Sequence, residues 1–191
     1  MSIDDAPYPG RHPTTWMRSR THGSGRRSIR LRGLDYRGFG PYFVTICTQD
    51  RECLFGAVLD GGMHLNVIGR SVITAWERLP ARFQFLRHDE RIVMPNHLHG
   101  ILVFLPCETP VPLGQVVRAF KSLSTIEVNR VTGRTGPLWQ RGYYEHVIDA
   151  GEDLDRIRGY IRANPEAWPR DPIHRVGARD ERARRQAAWA V

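Results

Sequence analysis

Arg91-Ile-Val-Met-Pro-Asn-His-Leu-His-Gly-Ile-Leu-Val-Phe104 consists of two apolar runs broken at Pro95-Asn96. Proline has no N–H to give to a ladder, so it belongs at the break, and the runs read as antiparallel strands joined by a Pro-Asn turn. Side chains alternate faces along a strand, so His97 and His99 share one face while Leu98 points to the other. Two imidazoles on a rigid strand are a candidate clamp for one metal ion. A satisfied pair of core histidines is the competing reading.

Working outward, Tyr42-Phe-Val-Thr-Ile-Cys-Thr48 is dense in β-branched and aromatic residues and reads as a buried strand. Glycines and an aspartate around residues 56–62 supply turn chemistry for a small hairpin. Val67, Val72, Ile73, Trp76 and Leu79 recur at helical spacing, and Pro80 stops that run. The strand before the Pro-Asn turn is supplied by residues 83–87 or 90–94. Downstream, Val116, Val117, Phe120, Leu123 and Ile126 set a second helix over about 113–130. A strand follows late in residues 138–148. A last helix runs from about 151, with an acidic first turn suited to the helix dipole, to Asn164 before Pro165. Strand, helix, strand, strand, helix, strand, helix predicts an α+β fold: a ferredoxin-like βαββαβ antiparallel sheet with helices on one face, plus an extra C-terminal helix.

Charge narrows the partner. Net charge is +8, and Lys121 is the single lysine among 28 basic residues. A GC-rich genome accounts for arginine over lysine but not for the excess charge. Guanidinium groups bind phosphate in a fork and stack on bases, so nucleic acid is the expected partner. Residues 1–35 read as a basic arm, mobile when free, whose Arg26, Arg27, Arg30 and Arg32 either track a phosphate backbone or stay solvated. Residues 169–191 read as an Arg/Ala-rich tail, leaving 36–168 as the folded domain. The chain is 41% hydrophobic, and no apolar run approaches the roughly 20 residues of a membrane helix. With no apolar leader visible, a cytoplasmic location without membrane contact is expected. Cys47, Cys53 and Cys107 form no CxxC pair and read as reduced thiols.

Tyr160 and Asn164 stand four apart on the last helix and so share one face. One reading makes Tyr160 a core aromatic and Asn164 a cap. The other makes Tyr160 a nucleophile, given a polarised electrophile to offset its ordinary pKa near 10, with the Asn164 amide oxygen completing a site begun by the histidines. Arg118 and Lys121 lie on the polar side of the second helix, as phosphate contacts or as a solvated face. Trp139, Gln140 and His146 line a DNA path or, for Trp139, the core. Tyr143 and Tyr144 are a second candidate nucleophile pair on the last strand.

Met94-Pro-Asn-His-Leu-His-Gly100 ahead of an apolar strand resembles the histidine–hydrophobic–histidine motif of the HUH single-strand endonucleases. More narrowly, the chain is similar to the bacterial REP-associated tyrosine transposases and the small single-tyrosine insertion-sequence transposases. Tyr42-Phe-Val-Thr-Ile-Cys-Thr48, Asn66-Val-Ile-Gly69, Lys121-Ser122, Leu138-Trp-Gln140, Tyr144-Glu-His146 and Tyr160-Ile-Arg-Ala-Asn-Pro165 carry the resemblance over residues 36–168, in the family's order. It implies that Tyr160 attacks a DNA phosphodiester to give a 5′-phosphotyrosine and a free 3′-hydroxyl. His97, His99 and Asn164 would hold Mg²⁺ or Mn²⁺, and the DNA would be a single strand folded as a hairpin. Relatives differ in whether the tyrosine helix serves its own subunit or a partner's, so monomer and homodimer both stay open. Two other functions also stay open: a DNA- or RNA-binding regulator without cleavage, and a metal nuclease that uses water.

Overall fold

The computed structural model describes residues 39–109, 111–148, 154–171 and 173–174. Arg26, Arg27, Arg30 and Arg32 of the expected arm lie outside the described residues, as do the expected first turn of the last helix at 151–153 and the tail beyond 174.

Four strands build the main sheet: β1 (Gly40–Cys47), β4 (Leu86–Met94), β5 (His97–Phe104) and β6 (Tyr144–Val147). Their order is β4-β5-β1-β6, and every neighbouring pair is antiparallel. β2 (Gly56–Leu59) and β3 (Gly62–Leu65) form a separate hairpin, as the turn residues predict. The helices are α1 (Val67–Glu77), the single turn α2 (Leu79–Arg82), α3 (Leu113–Thr132), α4 (Leu154–Arg162) and the short α5 (Asn164–Ala167). Leaving the hairpin aside, the order is the expected βαββαβ, with α4 as the extra helix. Among the described residues no helix is long and apolar enough to cross a membrane.

Strand alternation divides the apolar residues between two faces. Tyr42, Val44 and Ile46 of β1 and Leu98, Leu102 and Phe104 of β5 face Val72 and Trp76 of α1 and Val116, Val117 and Phe120 of α3. Each such fully buried side chain contributes about 1.5–3 kcal/mol. Gly100 is required there: a Cβ would stand 2.5 Å from Cζ2 of Trp76, so only glycine lets the indole lie against the middle of β5. On the opposite face Phe43 and Ile101 meet Ile148 and the α4 residues Ile157 and Ile161. α4 therefore covers the face that α1 and α3 leave bare. By the same alternation His97 and His99 lie on the α4 side.

Several boundaries differ from the sequence expectation, each for a local reason. The side chain of Asn66 caps α1 by accepting from the Gly69 N–H at 3.0 Å. Pro80 does not simply end the helix; it sits in the first turn of α2, where its missing N–H costs nothing. The two candidate strands before the Pro-Asn turn are one strand, β4, bent by an irregularity between His88 and Arg91. In α3 the buried stripe runs through Leu113, Val116, Val117, Phe120, Ser124 and Val128, leaving Leu123 and Ile126 on the exposed side. Past residue 168, where the sequence suggests a tail, Asp171 and Ile173 are both buried.

Candidate functional site

β5 presents His97 and His99 from the centre of the sheet, paired across β1 with Cys47 and Thr45. Both rings are almost completely buried, and their Nε2 atoms converge to 3.0 Å. The outer nitrogens are held separately. His97 Nδ1 lies 2.8 Å from Asn96 Oδ1, and His99 Nδ1 lies 2.8 Å from the Thr45 hydroxyl. Burial drives the pKa of both imidazoles down, His99 to about 3. His97 falls well below its ordinary value, with His99 adding to the effect of burial and the Asn164 side chain opposing it. Both rings are therefore neutral near pH 7, the form that coordinates metals.

Two oxygen donors complete the surroundings. Asp171 brings Oδ2 to 3.8 Å from His97 Nε2, and ligand atoms of His97, His99 and Asp171 all lie within 4.8 Å of one another. Asn164 is buried, its Nδ2 donating to the Tyr160 carbonyl at 3.3 Å, while its buried Oδ1 is turned toward His97 without a well-formed hydrogen bond. Two neutral imidazole nitrogens, a carboxylate and a buried amide oxygen are a donor set that fits a divalent cation. Asp171 is the member the sequence reading missed. It follows Pro169 in a charged stretch with no periodicity, and the only local hints of packing are the apolar residues Trp168 and Ile173 beside it. The Trp168 ring packs at a tilt against His174 with ring centroids 4.3 Å apart and reaches His97 at 5.9 Å, which brings this segment onto the site.

α4 carries Tyr160 back onto the histidines of its own chain. The Tyr160 ring lies 5.4 Å from His99 and 6.1 Å from Phe43, centroid to centroid. Ile157 and Ile161 bury the helix on the sheet, and its outer flank is tied to the irregular part of β4. Arg158 makes a two-pronged pair with Asp89 at 2.8 and 2.6 Å, and Arg162 pairs with Glu90 at 2.8 Å. The guanidinium of Arg158 holds the Asp89 carboxyl below its ordinary pKa. Tyr144 also packs on Phe43, at 6.2 Å, from the neighbouring strand β6.

The expected DNA contacts that fall among the described residues do not share one environment. Arg118 is exposed on α3, as a phosphate contact requires. Lys121 is not free on that face: its ammonium donates to the carbonyls of Gln140 and Gly142 and sits 6.0 Å over the Tyr143 ring. Burial lowers its pKa to about 8, and the residue serves as a strut for the loop at 140–142. Trp139 belongs to the core. It is 6% exposed, donates to the Ser124 hydroxyl at 2.8 Å, and packs on Phe55 and Phe120. Gln140 is half-buried, its N–H bonded to the Cys47 carbonyl. Burial raises the Cys47 thiol to about 11, which leaves it a protonated neighbour of the site and a poor nucleophile.

No family model matches the chain. An uncharacterized protein of Haemophilus influenzae is 38% identical over an alignment of 168 residues that covers 78% of this chain and 93% of that one. Among solved structures, a REP-associated tyrosine transposase bound to a REP hairpin superposes with a TM-score of 0.50 at 19% identity, over 81% of this chain and 92% of the other.

Proposed function

The chain belongs to one family with the Haemophilus influenzae protein and has the fold of the REP-associated tyrosine transposase, and from that premise we propose that it is itself a tyrosine transposase of the HUH endonuclease kind. It would cleave and rejoin single-stranded DNA through a 5′-phosphotyrosine. The observation that carries this reading is the contact of Tyr160 with His99, beside the convergent nitrogens of His97 and His99. A binding protein needs neither group.

In the proposed reaction the phenolic oxygen of Tyr160 attacks phosphorus and the bond from phosphorus to the 3′-oxygen breaks. The phenol loses its proton to water and the departing oxygen gains one, leaving a 5′-phosphotyrosine and a 3′-hydroxyl. Attack of a 3′-hydroxyl on the same phosphorus reverses the exchange, so strands are rejoined without ATP. His97, His99 and Asn164, with Asp171 as a fourth donor, would hold Mg²⁺ or Mn²⁺, whose bound form supplies Lewis-acid polarisation of a phosphate oxygen. The chain's own share is to fix the phenol against the buried face and to keep both imidazoles neutral. Packing of Ile157 and Ile161 on Phe43 holds the helix that carries the phenol against the sheet.

The DNA is proposed to be a hairpin, the form bound by the solved transposase of the same fold. Unpaired bases and a folded shape would both be read, with Arg118 and the arginines of residues 1–35 as phosphate contacts. Incubation with labelled single-stranded hairpin DNA and Mn²⁺ tests the reading. A denaturation-resistant protein–DNA adduct, lost in Tyr160→Phe, is expected. Cleavage that survives Tyr160→Phe without an adduct would instead assign a water-using nuclease, and metal-independent binding without cleavage a regulator.

A further inference from the structure

Asn96 is completely buried in the turn between β4 and β5, and the proposed chemistry makes no use of it. Its side chain is nonetheless fully committed. Nδ2 donates to two backbone carbonyls, of Arg51 at 3.2 Å and of Ile173 at 3.0 Å, while Oδ1 lies 2.8 Å from His97 Nδ1. Its own carbonyl accepts from the Thr48 N–H at 2.9 Å.

These partners decide what shape alone cannot. The two ends of an asparagine amide are nearly alike, so its orientation is read from what surrounds it. Carbonyls only accept, so the nitrogen must face Arg51 and Ile173 and the oxygen must face His97. An acceptor at Nδ1 requires a hydrogen on Nδ1, and in a neutral imidazole that leaves Nε2 with a bare lone pair. That lone pair is the one aimed at His99 and Asp171. His99 is not fixed in this way, because its Nδ1 meets the Thr45 hydroxyl, which can donate or accept.

We infer that Asn96 is a positioning residue with two linked tasks: it locks His97 as the Nδ1–H tautomer, and it fastens the segment carrying Asp171 to the same turn. His99 is the ring that adapts. In the metal-free protein its Nε2–H donates to the bare Nε2 of His97 while Thr45 donates to its Nδ1. When both Nε2 atoms are needed as ligands, the His99 proton sits on Nδ1 and Thr45 accepts. Asp171 reaches the cluster because the Ile173 carbonyl is held by Asn96, and the Asp171 carboxylate in turn accepts from the Ile173 N–H at 2.7 Å. Partners of this kind, behind metal ligands, typically affect metal affinity by 10–100-fold when removed.

The metal part rests on the proposed function, whereas the tautomer does not, and the experiment separates the two. Nitrogen-15 histidine spectra of the metal-free full-length protein at pH 7, assigned with His97→Gln, are expected to show His97 as Nδ1–H. Mn²⁺ titration followed by electron paramagnetic resonance is then compared between wild type and Asn96→Ala. The variant is expected to bind Mn²⁺ about 10–100-fold more weakly and to exchange the backbone amides of Ile173 and His174 faster. A wild-type His97 protonated on Nε2 overturns the inference, as does a folded Asn96→Ala with unchanged affinity and exchange. Should the variant not fold, the wild-type spectrum decides alone. Neither measurement uses DNA, so absence of a Tyr160 adduct would count against the transposase reading while leaving this result standing.

Discussion

Burying two neutral imidazoles at the centre of the sheet makes the metal-free protein sensitive to mild acid. In the folded state His99 is depressed to about 3 and His97 well below its ordinary value, whereas in the unfolded chain both titrate near 6.5. The unfolded state thus binds more protons below pH 6.5, so stability is full above that value and is lost as pH falls toward the folded pKa. For a site that stays neutral in the fold, the loss from pH 7 to pH 5 is RT ln[(1 + 10^1.5)/(1 + 10^−0.5)], about 2 kcal/mol, or about 4 kcal/mol for the pair. With a urea dependence of about 2 kcal/mol per molar, the midpoint falls by about 2 M between those pH values. Urea unfolding in a chelator, followed by tryptophan fluorescence, measures it directly. Depression of His88 by burial works in the same direction, so the discriminating comparison is with a His97→Gln/His99→Gln double variant. The double variant should lose most of the pH slope. Equal slopes in the two proteins would refute the reasoning, because the histidines would then be titrating normally or exposed.

Other expectations follow from named contacts. Asp89→Asn removes the carboxylate that pairs with Arg158, and single-turnover cleavage should fall about tenfold or more through misplacement of Tyr160, with DNA affinity little changed; an unchanged rate would release α4 from dependence on β4. Arg118→Ala should lower the salt slope of DNA binding by about 1, whereas Lys121→Met should leave the slope alone and cost about 1–3 kcal/mol in stability by removing the ammonium's hydrogen bonds to the Gln140 and Gly142 carbonyls. Trp139→Ala should destabilise by about 3–5 kcal/mol, as for a large core aromatic, and a loss of DNA binding without a loss of stability would return it to the DNA path.

Much of this arrangement was legible because strand and helix periods are local rules. Alternation placed His97 and His99 on one face, and a helical turn placed Tyr160 beside Asn164. The alternation of β1 and β5 did not say which face α4 would cover; Ile157 and Ile161 decide that only once Phe43 and Ile101 are in place. Asp171 was invisible for a different reason. It is a single carboxylate in a charged stretch, brought to the histidines by an Asn96–Ile173 hydrogen bond spanning 77 positions. The pairing of Asp89 with Arg158 spans 69 positions and depends on the irregularity in β4, which no local pattern announces. Lys121 carried a faint signal: a lone lysine among arginines can be a compact point charge inserted between carbonyls rather than a phosphate fork.

The central claim is that Tyr160 becomes the phosphoryl carrier. Trypsin cleaves after Arg158 and Arg162, isolating the peptide Gly159-Tyr160-Ile161-Arg162. After reaction with a hairpin single strand, exhaustive nuclease treatment and mass spectrometry, that peptide should carry the residual nucleotide through a phosphotyrosine bond. A nucleotide on a peptide containing Tyr143 or Tyr144, or cleaved DNA with every tyrosine peptide unmodified, would contradict the account.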